Sequence, residues 1–324
     1  MRYIKLGKTD LEVSVIGFGA WAIGGWMWGG TNESESIKAI NTAIDTGINL
    51  IDTAPAYGKG LSEEIVGKAI KGKRDKLIIA TKCGIVWHLD KGEFFFNYES
   101  GEKVYKFLGP KSIRYEIEQS LSRLGTDYID LYQTHWQDKT TLIENTMETL
   151  MDLKKEGKIR SIGASNTNLK ELEQYNQVGQ LDVDQEKYNL IDNEVEQEIL
   201  PWCKNNRITM LAYSSLAKGL LTGKITHDRE FGGDDLRKGD PRFSIENRKK
   251  INSVLEDEFE PLTKKYGLSL AQLSVAALVS QDGVVALCGI RNEKQAEENA
   301  KAGDYLIEES DIIKIRNAIE TLDL

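Results

Sequence analysis

The sequence predicts an α/β fold, a closed (β/α)8 barrel of the TIM type preceded by a β-hairpin. Segments typical of buried strands alternate with segments of helical periodicity, as in repeated βα units. Eight such strands can be counted, and 324 residues is a comfortable length for one barrel of this kind. No sequence repeat, linker or low-complexity segment divides the chain, so we expect a single domain over residues 1–324.

The elements follow in order along the chain, beginning with a hairpin in YIKLGKTDLEVS. The predicted barrel strands are VIGFGA, NLIDTA, LIIATKC, IDLYQTH, SIGAS, DVDQEKY, TMLAYSS and VVALCG. The segments between them carry apolar residues at helical spacing, and several should end at a glycine. Asn32, Ser62 and Asn193 are candidate N-caps. A doubly wound sheet is the lesser alternative.

Two long loops interrupt this alternation, one at residues 86–108 after the third strand and one at 217–247 after the seventh. Loops that follow strands lie on the catalytic face of such a barrel. These insertions are therefore candidate lids or substrate walls, with surface decoration as the alternative for each. The first of them is rich in aromatic residues.

Composition argues against several classes of function. A net charge of -9 without a basic cluster argues against nucleic acid or an anionic membrane as partner. No apolar run approaches the ~20 residues that span a bilayer. The cysteines are too few for a disulfide framework and the histidines form no paired motif, so a metal site is not expected. The first residues lack the apolar core of a signal peptide, which favours a cytoplasmic location.

Ionisable residues follow three consecutive predicted strands. Asp52 ends the second strand and Tyr57 lies in the loop after it, while Lys82 ends the third strand and His135 the fourth. Each has an ordinary explanation by itself: a helix cap, a packed phenol, a solvated lysine or a histidine that fills a polar gap. Together they bring four such groups to the same mouth of the barrel, which favours a functional cluster.

The chemistry of this cluster is that of a proton donor. A free tyrosine has a pKa of ~10, and a neighbouring ammonium lowers that pKa by favouring the phenolate. Lys82 is the candidate ammonium, and Asp52 is placed to keep it charged. His135 is then available to position a carbonyl oxygen beside Tyr57, which predicts a general acid that protonates an oxygen as charge develops on it.

Seven segments of the chain form a recognisable series: GFGAWAIGG, NLIDTAPAYGKGLSEEIVGKAI, LIIATKCG, SLSRLGTDYIDLYQTHWQD, LKKEGKIRSIGASN, YSSLAKGLLTGK and GIRNEKQAEEN. In these segments and their order the chain resembles the aldo-keto reductase superfamily over nearly its whole length, most closely the bacterial reductases related to inositol-utilisation and general stress proteins. This resemblance implies a (β/α)8 barrel and gives Asp52, Tyr57, Lys82 and His135 the roles of the catalytic tetrad. It also implies reduction of a small aldehyde or ketone, some of them sugar-derived, with NADPH as the hydride donor.

By the same resemblance, NADPH or NADP+ binds across the barrel mouth without a GxGxxG loop, which this chain lacks. Ser165, Asn166 and Gln185 would hold the carboxamide, and Tyr213 would stack on the nicotinamide ring. Small residues after the seventh strand let backbone N–H groups approach phosphate closely. The pyrophosphate loop would comprise Ser214, Leu216, Gly219, Leu221, Gly223 and Lys224.

The segment GIRNEKQAEEN would bind the adenosine end of the nucleotide. Arg291 would clamp the 2′-phosphate, with Gln295 beside it, because the planar fork of arginine donates hydrogen bonds in pairs. Glu298 and Asn299 would meet the adenine. Gly289 belongs to the turn that precedes Arg291. A solvated helix start is the alternative for this segment taken alone.

Tryptophans near strand ends are candidate walls of an apolar or sugar-stacking substrate pocket, although they could simply close the barrel mouth. They are Trp21, Trp26, Trp28, Trp87 and Trp136.

Two other functions fit the same fold. The regulatory β subunits of voltage-gated potassium channels share this barrel and retain nucleotide, so a binding and sensing module is the main alternative. A dehydratase or isomerase that uses Tyr57 and Lys82 without nucleotide is a weaker one. All four tetrad positions are filled, which favours the reductase. No motif indicates the oligomeric state.

Overall fold

The computed structural model describes residues 1–98 and 100–324, and its centre is a closed barrel of eight parallel strands. The strands are β1 (Tyr3–Lys5), β2 (Glu12–Ser14), β3 (Ile16–Gly19), β4 (Leu50–Asp52), β5 (Ile78–Cys83), β6 (Ile85–Val86), β7 (Glu93–Asn97), β8 (Lys103–Lys106), β9 (Ile129–Thr134), β10 (Ile159–Ser165), β11 (Val183–Lys187), β12 (Thr209–Tyr213) and β13 (Val284–Gly289). The barrel order is β3-β4-β5-β9-β10-β11-β12-β13, and β13 closes on β3. This closure confirms the predicted barrel and excludes the doubly wound sheet.

Helices surround the barrel and follow its strands. They are α1 (Glu33–Asp45), α2 (Leu61–Ile70), α3 (Pro110–Leu124), α4 (Ile143–Lys155), α5 (Leu169–Val178), α6 (Ile199–Asn206), α7 (Ile245–Val254), α8 (Glu260–Tyr266), α9 (Leu270–Val279), α10 (Glu293–Ala302) and α11 (Glu309–Glu320). Among the described residues, none of these helices is long and apolar enough to cross a membrane.

Of the three predicted helix N-caps, the structure confirms Asn32 but not Ser62 or Asn193. Asn32 caps α1, since its side-chain oxygen accepts a hydrogen bond from the Glu35 backbone N–H at 3.2 Å. The prediction for Ser62 is wrong, because α2 already begins at Leu61 and the Ser62 hydroxyl lies buried against the Ala20 carbonyl at 2.9 Å. Asn193 precedes only a short 3-10 helix and makes no side-chain cap hydrogen bond.

The apolar core has two layers. One fills the space between strands and helices, and the other fills the barrel interior. The predicted hairpin, β1 and β2, is confirmed as an antiparallel pair, and Leu6, Leu11 and Val13 from it join the interior layer with Leu50 and Leu131. The carboxyl ends of the strands form the face on which barrels of this type hold their functional groups.

The two insertions differ in structure. Residues 86–108, predicted as a loop, contain most of a small antiparallel sheet in the order β6-β8-β7. The alternating apolar and polar residues of short strands are hard to separate from an aromatic loop by pattern alone. Residues 217–247 contain two 3-10 segments, Ala217–Thr222 and Pro241–Phe243, and the start of α7.

Candidate active site

A buried ion pair lies at the mouth of the barrel. The Lys82 ammonium on β5 donates to Asp52 Oδ2 at the end of β4 over 2.6 Å, and to the Thr53 carbonyl at 3.0 Å. Both side chains are almost fully buried. Burial by itself would lower the pKa of Lys82, but the neighbouring Asp52 and Tyr57 outweigh that effect and raise it above its ordinary value. Lys82 is therefore a stable, buried positive charge.

Tyr57 completes this contact from the loop after β4. Its hydroxyl oxygen lies 3.2 Å from the Lys82 ammonium nitrogen. The sequence predicts a lowered pKa for Tyr57, but this prediction is wrong. Burial raises the pKa of Tyr57 by more than the Lys82 charge lowers it. The phenol therefore holds its proton at neutral pH and has one to give.

His135 stands on the other side of Tyr57. The two rings meet edge to face with centroids 5.7 Å apart, and the His135 backbone N–H donates to the Cys83 carbonyl at 2.8 Å. Burial and the nearby Lys82 charge hold the pKa of His135 well below its usual value. The imidazole is therefore neutral at pH 7, with one ring N–H to donate. The structure thus brings Asp52, Tyr57, Lys82 and His135 together.

Two glutamine side chains lie beneath the ion pair. Gln185 Nε2 on β11 donates to Asp52 Oδ1 at 2.9 Å, and Gln133 Nε2 on β9 donates to the same oxygen at 3.2 Å. Gln185 Nε2 also donates to Gln133 Oε1 at 3.2 Å. Sequence reasoning missed Gln133. The available signal was a polar residue two positions after Leu131, which places Gln133 on the same inward face of the strand.

The residues predicted to hold a carboxamide lie next to this cluster. Asn166 Nδ2 donates to the His135 carbonyl at 2.8 Å and to the Ser165 hydroxyl at 3.1 Å. The Tyr213 hydroxyl donates to Asn166 Oδ1 at 2.8 Å. Asn166 has a φ of +55°, a left-handed conformation that side-chain-bearing residues rarely adopt, and such strain collects at functional sites.

The predicted pyrophosphate loop has an unusual backbone. Ser214, Ala217 and Lys218 all have φ values near +50° (55°, 48° and 54°), and Gly219 reaches +104°. Turns that combine right-handed and left-handed backbone conformations are a feature of anion-binding loops. The other predicted members of the loop, from Leu216 to Lys224, follow in the same segment, and Lys224 pairs with Glu298 at 3.0 Å.

Arg291 lies at a polar cleft of about 290 Å³. Its guanidinium donates to the carbonyls of Trp28 at 3.0 Å and Gly30 at 2.8 Å, and its backbone N–H donates to Gln295. The N-termini of α1 and α10 both open on the cleft. Its lining consists of Thr31, Asn32, Glu35, Ser36, Arg291, Asn292 and Gln295. Helix N-termini and a guanidinium favour an anion there, while Glu35 opposes one.

The five tryptophans fall into two groups. Trp21 stacks on Tyr57 with centroids 6.1 Å apart, and Trp28 meets Trp21 edge to face at 5.3 Å. Trp26, Trp87 and Trp136 instead pack on the small β6-β8-β7 sheet. The aromatic residues that pack against these three tryptophans were not singled out from the sequence, although they lie in the segment FFFNY. These partners are Phe95, Phe96 and Tyr98.

A contact between the two sides of the mouth was also missed. The Asp234 carboxylate, in the insertion after β12, accepts from the backbone N–H groups of Met27 at 2.8 Å and Gly29 at 3.0 Å. Leu236 N–H donates to the Met27 carbonyl at 3.2 Å. The insertion is thereby joined to the tryptophan-bearing loop after β3.

Comparison with known proteins gives consistent matches. A profile of the aldo/keto reductase family matches residues 15–320. The aldo-keto reductase YhdN of Bacillus subtilis (strain 168) is 44% identical over 324 residues, covering 99% of this chain and 94% of the relative. The NADH-specific methylglyoxal reductase of Escherichia coli (strain K12) is 42% identical over 330 residues, covering 100% of both. The glycerol dehydrogenase AKR11B4 from Gluconobacter oxydans superposes with a TM-score of 0.89 at 37% identity, covering 98% of this chain and 95% of that structure.

Proposed function

Since the chain belongs to the aldo/keto reductase family, we propose that it is an NADPH-dependent reductase of small aldehydes or ketones in which Tyr57 is the general acid. The observation that carries this proposal is the Lys82 ammonium, buried and in contact with both Asp52 and the Tyr57 hydroxyl. Two similar proteins are named for methylglyoxal and glycerol, which supports a small oxygenated substrate.

Each residue of the cluster has a separate role in the proposed reaction. NADPH, when bound, supplies the hydride that adds to the carbonyl carbon. Tyr57 donates its proton to the carbonyl oxygen, so that the product is an alcohol, and Lys82 stabilises the phenolate that remains. Asp52 holds the ammonium in place, and neutral His135 donates an N–H that orients the carbonyl oxygen.

The residues present fit a nicotinamide nucleotide. The Gln185 amide nitrogen donates its two N–H groups to Asp52 and Gln133. Its amide oxygen therefore remains as the acceptor for the N–H₂ of the carboxamide. Ser165 and Asn166 are candidates for the carboxamide oxygen. The left-handed loop from Ser214 is suited to the pyrophosphate, and the cleft beside Arg291 is suited to a 2′-phosphate.

The first test follows oxidation of NADPH at 340 nm with a panel of small aldehydes, ketones and keto-sugars, methylglyoxal and dihydroxyacetone among them. Turnover of any carbonyl supports the reductase. Tight nucleotide binding without turnover across the panel would favour a sensing role like that of the channel β subunits. Absence of nucleotide binding would favour the isomerase alternative.

Arg291→Ala is expected to weaken NADPH binding about ten- to a hundredfold, because a charge-assisted hydrogen bond to phosphate contributes roughly 1.5–3 kcal/mol. NADH, which lacks the 2′-phosphate, should bind the variant almost as it binds the unmodified protein. Titration calorimetry or fluorescence with both nucleotides measures this difference.

Lys294→Ala is the matched control, since Lys294 is another cation at the start of α10 but does not line the cleft. Equal affinity of the unmodified protein for NADPH and NADH would overturn the preference. That outcome would align the chain with its NADH-specific relative.

Residues 217–247 are expected to become protected when NADPH binds, since this segment carries most of the proposed pyrophosphate loop and is joined to Met27 and Gly29 through Asp234. A segment that closes over the nucleotide also makes release slow relative to chemistry. Limited proteolysis with and without saturating NADPH tests this expectation. Cleavage within the segment at the same rate in both conditions would show that it is no lid.

A further inference from the structure

Gln133 crosses the barrel interior to reach the carboxylate of Asp52. It stands on β9, two residues before His135, and its side chain is fully buried. Its amide nitrogen donates to Asp52 Oδ1, while its amide oxygen accepts from Gln185. A carboxylate can only accept, so the N–H₂ end of the amide must face Asp52. The orientation of Gln133 is therefore fixed by its partners.

The barrel is built to admit this side chain. Gly163, on the neighbouring strand β10, pairs in register with Gln133. A Cβ placed on Gly163 would lie 2.7 Å from Cγ of Gln133, closer than real side chains approach. The absence of a side chain at Gly163 thus leaves the space through which Gln133 extends. Gly163 has an ordinary negative φ, so packing rather than backbone strain explains the glycine.

The amide acts on the charge balance around Tyr57. The ionisable neighbours of Tyr57 are Lys82, Asp52, His135 and Tyr213. Lys82 favours the phenolate, whereas Asp52 opposes it. An N–H donated to Asp52 places positive partial charge beside that carboxylate and weakens the attraction between Asp52 and the Lys82 ammonium. The ammonium is then held between Asp52 and the Tyr57 hydroxyl.

We propose that Gln133 is a positioning residue for the proton transfer: its amide, donated to Asp52, keeps the Lys82 ammonium in contact with the Tyr57 hydroxyl. This inference rests on the proposed function, because it assigns Gln133 a part in the same proton donation. Gln133, two positions before His135, would then contribute to the proton transfer without touching the Tyr57 hydroxyl or the substrate carbonyl.

Gln133→Met removes the amide and nearly preserves the volume of the side chain. Its kcat should fall about tenfold, with KM for the carbonyl and Kd for NADPH changed by less than about threefold. The loss of kcat at alkaline pH, where Tyr57 loses its proton, should move to higher pH. The shift is toward higher pH because, without the amide hydrogen bond, the negative charge of Asp52 is less screened and disfavours the Tyr57 phenolate more strongly.

A second readout does not depend on turnover. In protein with ¹³C-labelled tyrosine rings, the Tyr57 resonance is identified by its loss in Tyr57→Phe, and its titration gives the fraction of phenolate at each pH. Gln133→Met should show less phenolate than the unmodified protein at any pH within the titration. If no carbonyl is turned over, the proposed function fails while this readout still decides the role of Gln133.

Two further variants separate positioning from stability. Leu131→Met alters the same inward face of β9 without touching Asp52, so it should leave the pH profile unchanged. Gly163→Ala should displace Gln133 and shift the profile in the same direction as Gln133→Met. A Gln133→Met protein that melts at a lower temperature but keeps both the pH profile and the Tyr57 titration of the unmodified protein would overturn the proposal.

Discussion

Tyr57→Phe is expected to lower kcat by about 100- to 10,000-fold, the range that general acid catalysis contributes. The substitution removes only the hydroxyl that lies 3.2 Å from Lys82. The ring remains to stack against Trp21 and to meet His135, so the mouth should keep its shape. Affinity for NADPH should stay within a few-fold, because the proposed nucleotide contacts come from other strand ends.

Stopped-flow or steady-state kinetics with saturating NADPH measure this loss, and fluorescence titration measures the affinity. Tyr3→Phe is a matched control, since its hydroxyl bonds to the Gly47 carbonyl at the hairpin end of the barrel. That variant should turn over normally. Tyr57→Phe protein that reduces a good substrate near the original kcat would place the acid elsewhere in the site.

The barrel was predictable because most of its strands are short, largely apolar and followed by a helical segment, and this pattern is local. β9 shows the strength and the limit of such reasoning. Its run IDLYQTH identifies a buried strand, and the position of His135 at its end indicates a functional face. Nothing local shows that Gln133 reaches across to Asp52, because that contact depends on the register of β9 against β5 and of β5 against β4.

The pKa shifts of the site residues were harder to predict from the sequence than the positions of these residues. The structure brings Asp52, Tyr57, Lys82 and His135 together as expected, since parallel strands bring their carboxyl ends and the loops after them to one mouth. The direction of the Tyr57 pKa shift was predicted wrongly. Burial raises this pKa and the neighbouring Lys82 charge lowers it, and the sizes of both effects depend on packing. The small sheet that takes up much of residues 86–108 was likewise missed, since its pairing is set by contacts between β6, β7 and β8.

Lys82→Met is expected to impair both turnover and stability. Removing one partner of a buried ion pair leaves the other charge uncompensated and costs about 3–5 kcal/mol of unfolding free energy. Asp52 would keep the amides of Gln133 and Gln185 but lose its cation. Turnover should fall on the order of 100-fold, since the Tyr57 phenolate would lose the charge that stabilises it.

Urea denaturation without nucleotide measures the stability term, because bound NADPH would itself stabilise the folded state. The matched control is Lys68→Met, which breaks a lysine–carboxylate pair with Glu33 of similar length, 2.8 Å, on the exposed surface. An exposed pair is worth about 0–1 kcal/mol, so this variant should unfold almost like the unmodified protein and turn over normally. If Lys82→Met were as stable as Lys68→Met, the Asp52–Lys82 contact would not be a tightly held charge pair. The electrostatic support proposed for Tyr57 would then have to come from another group.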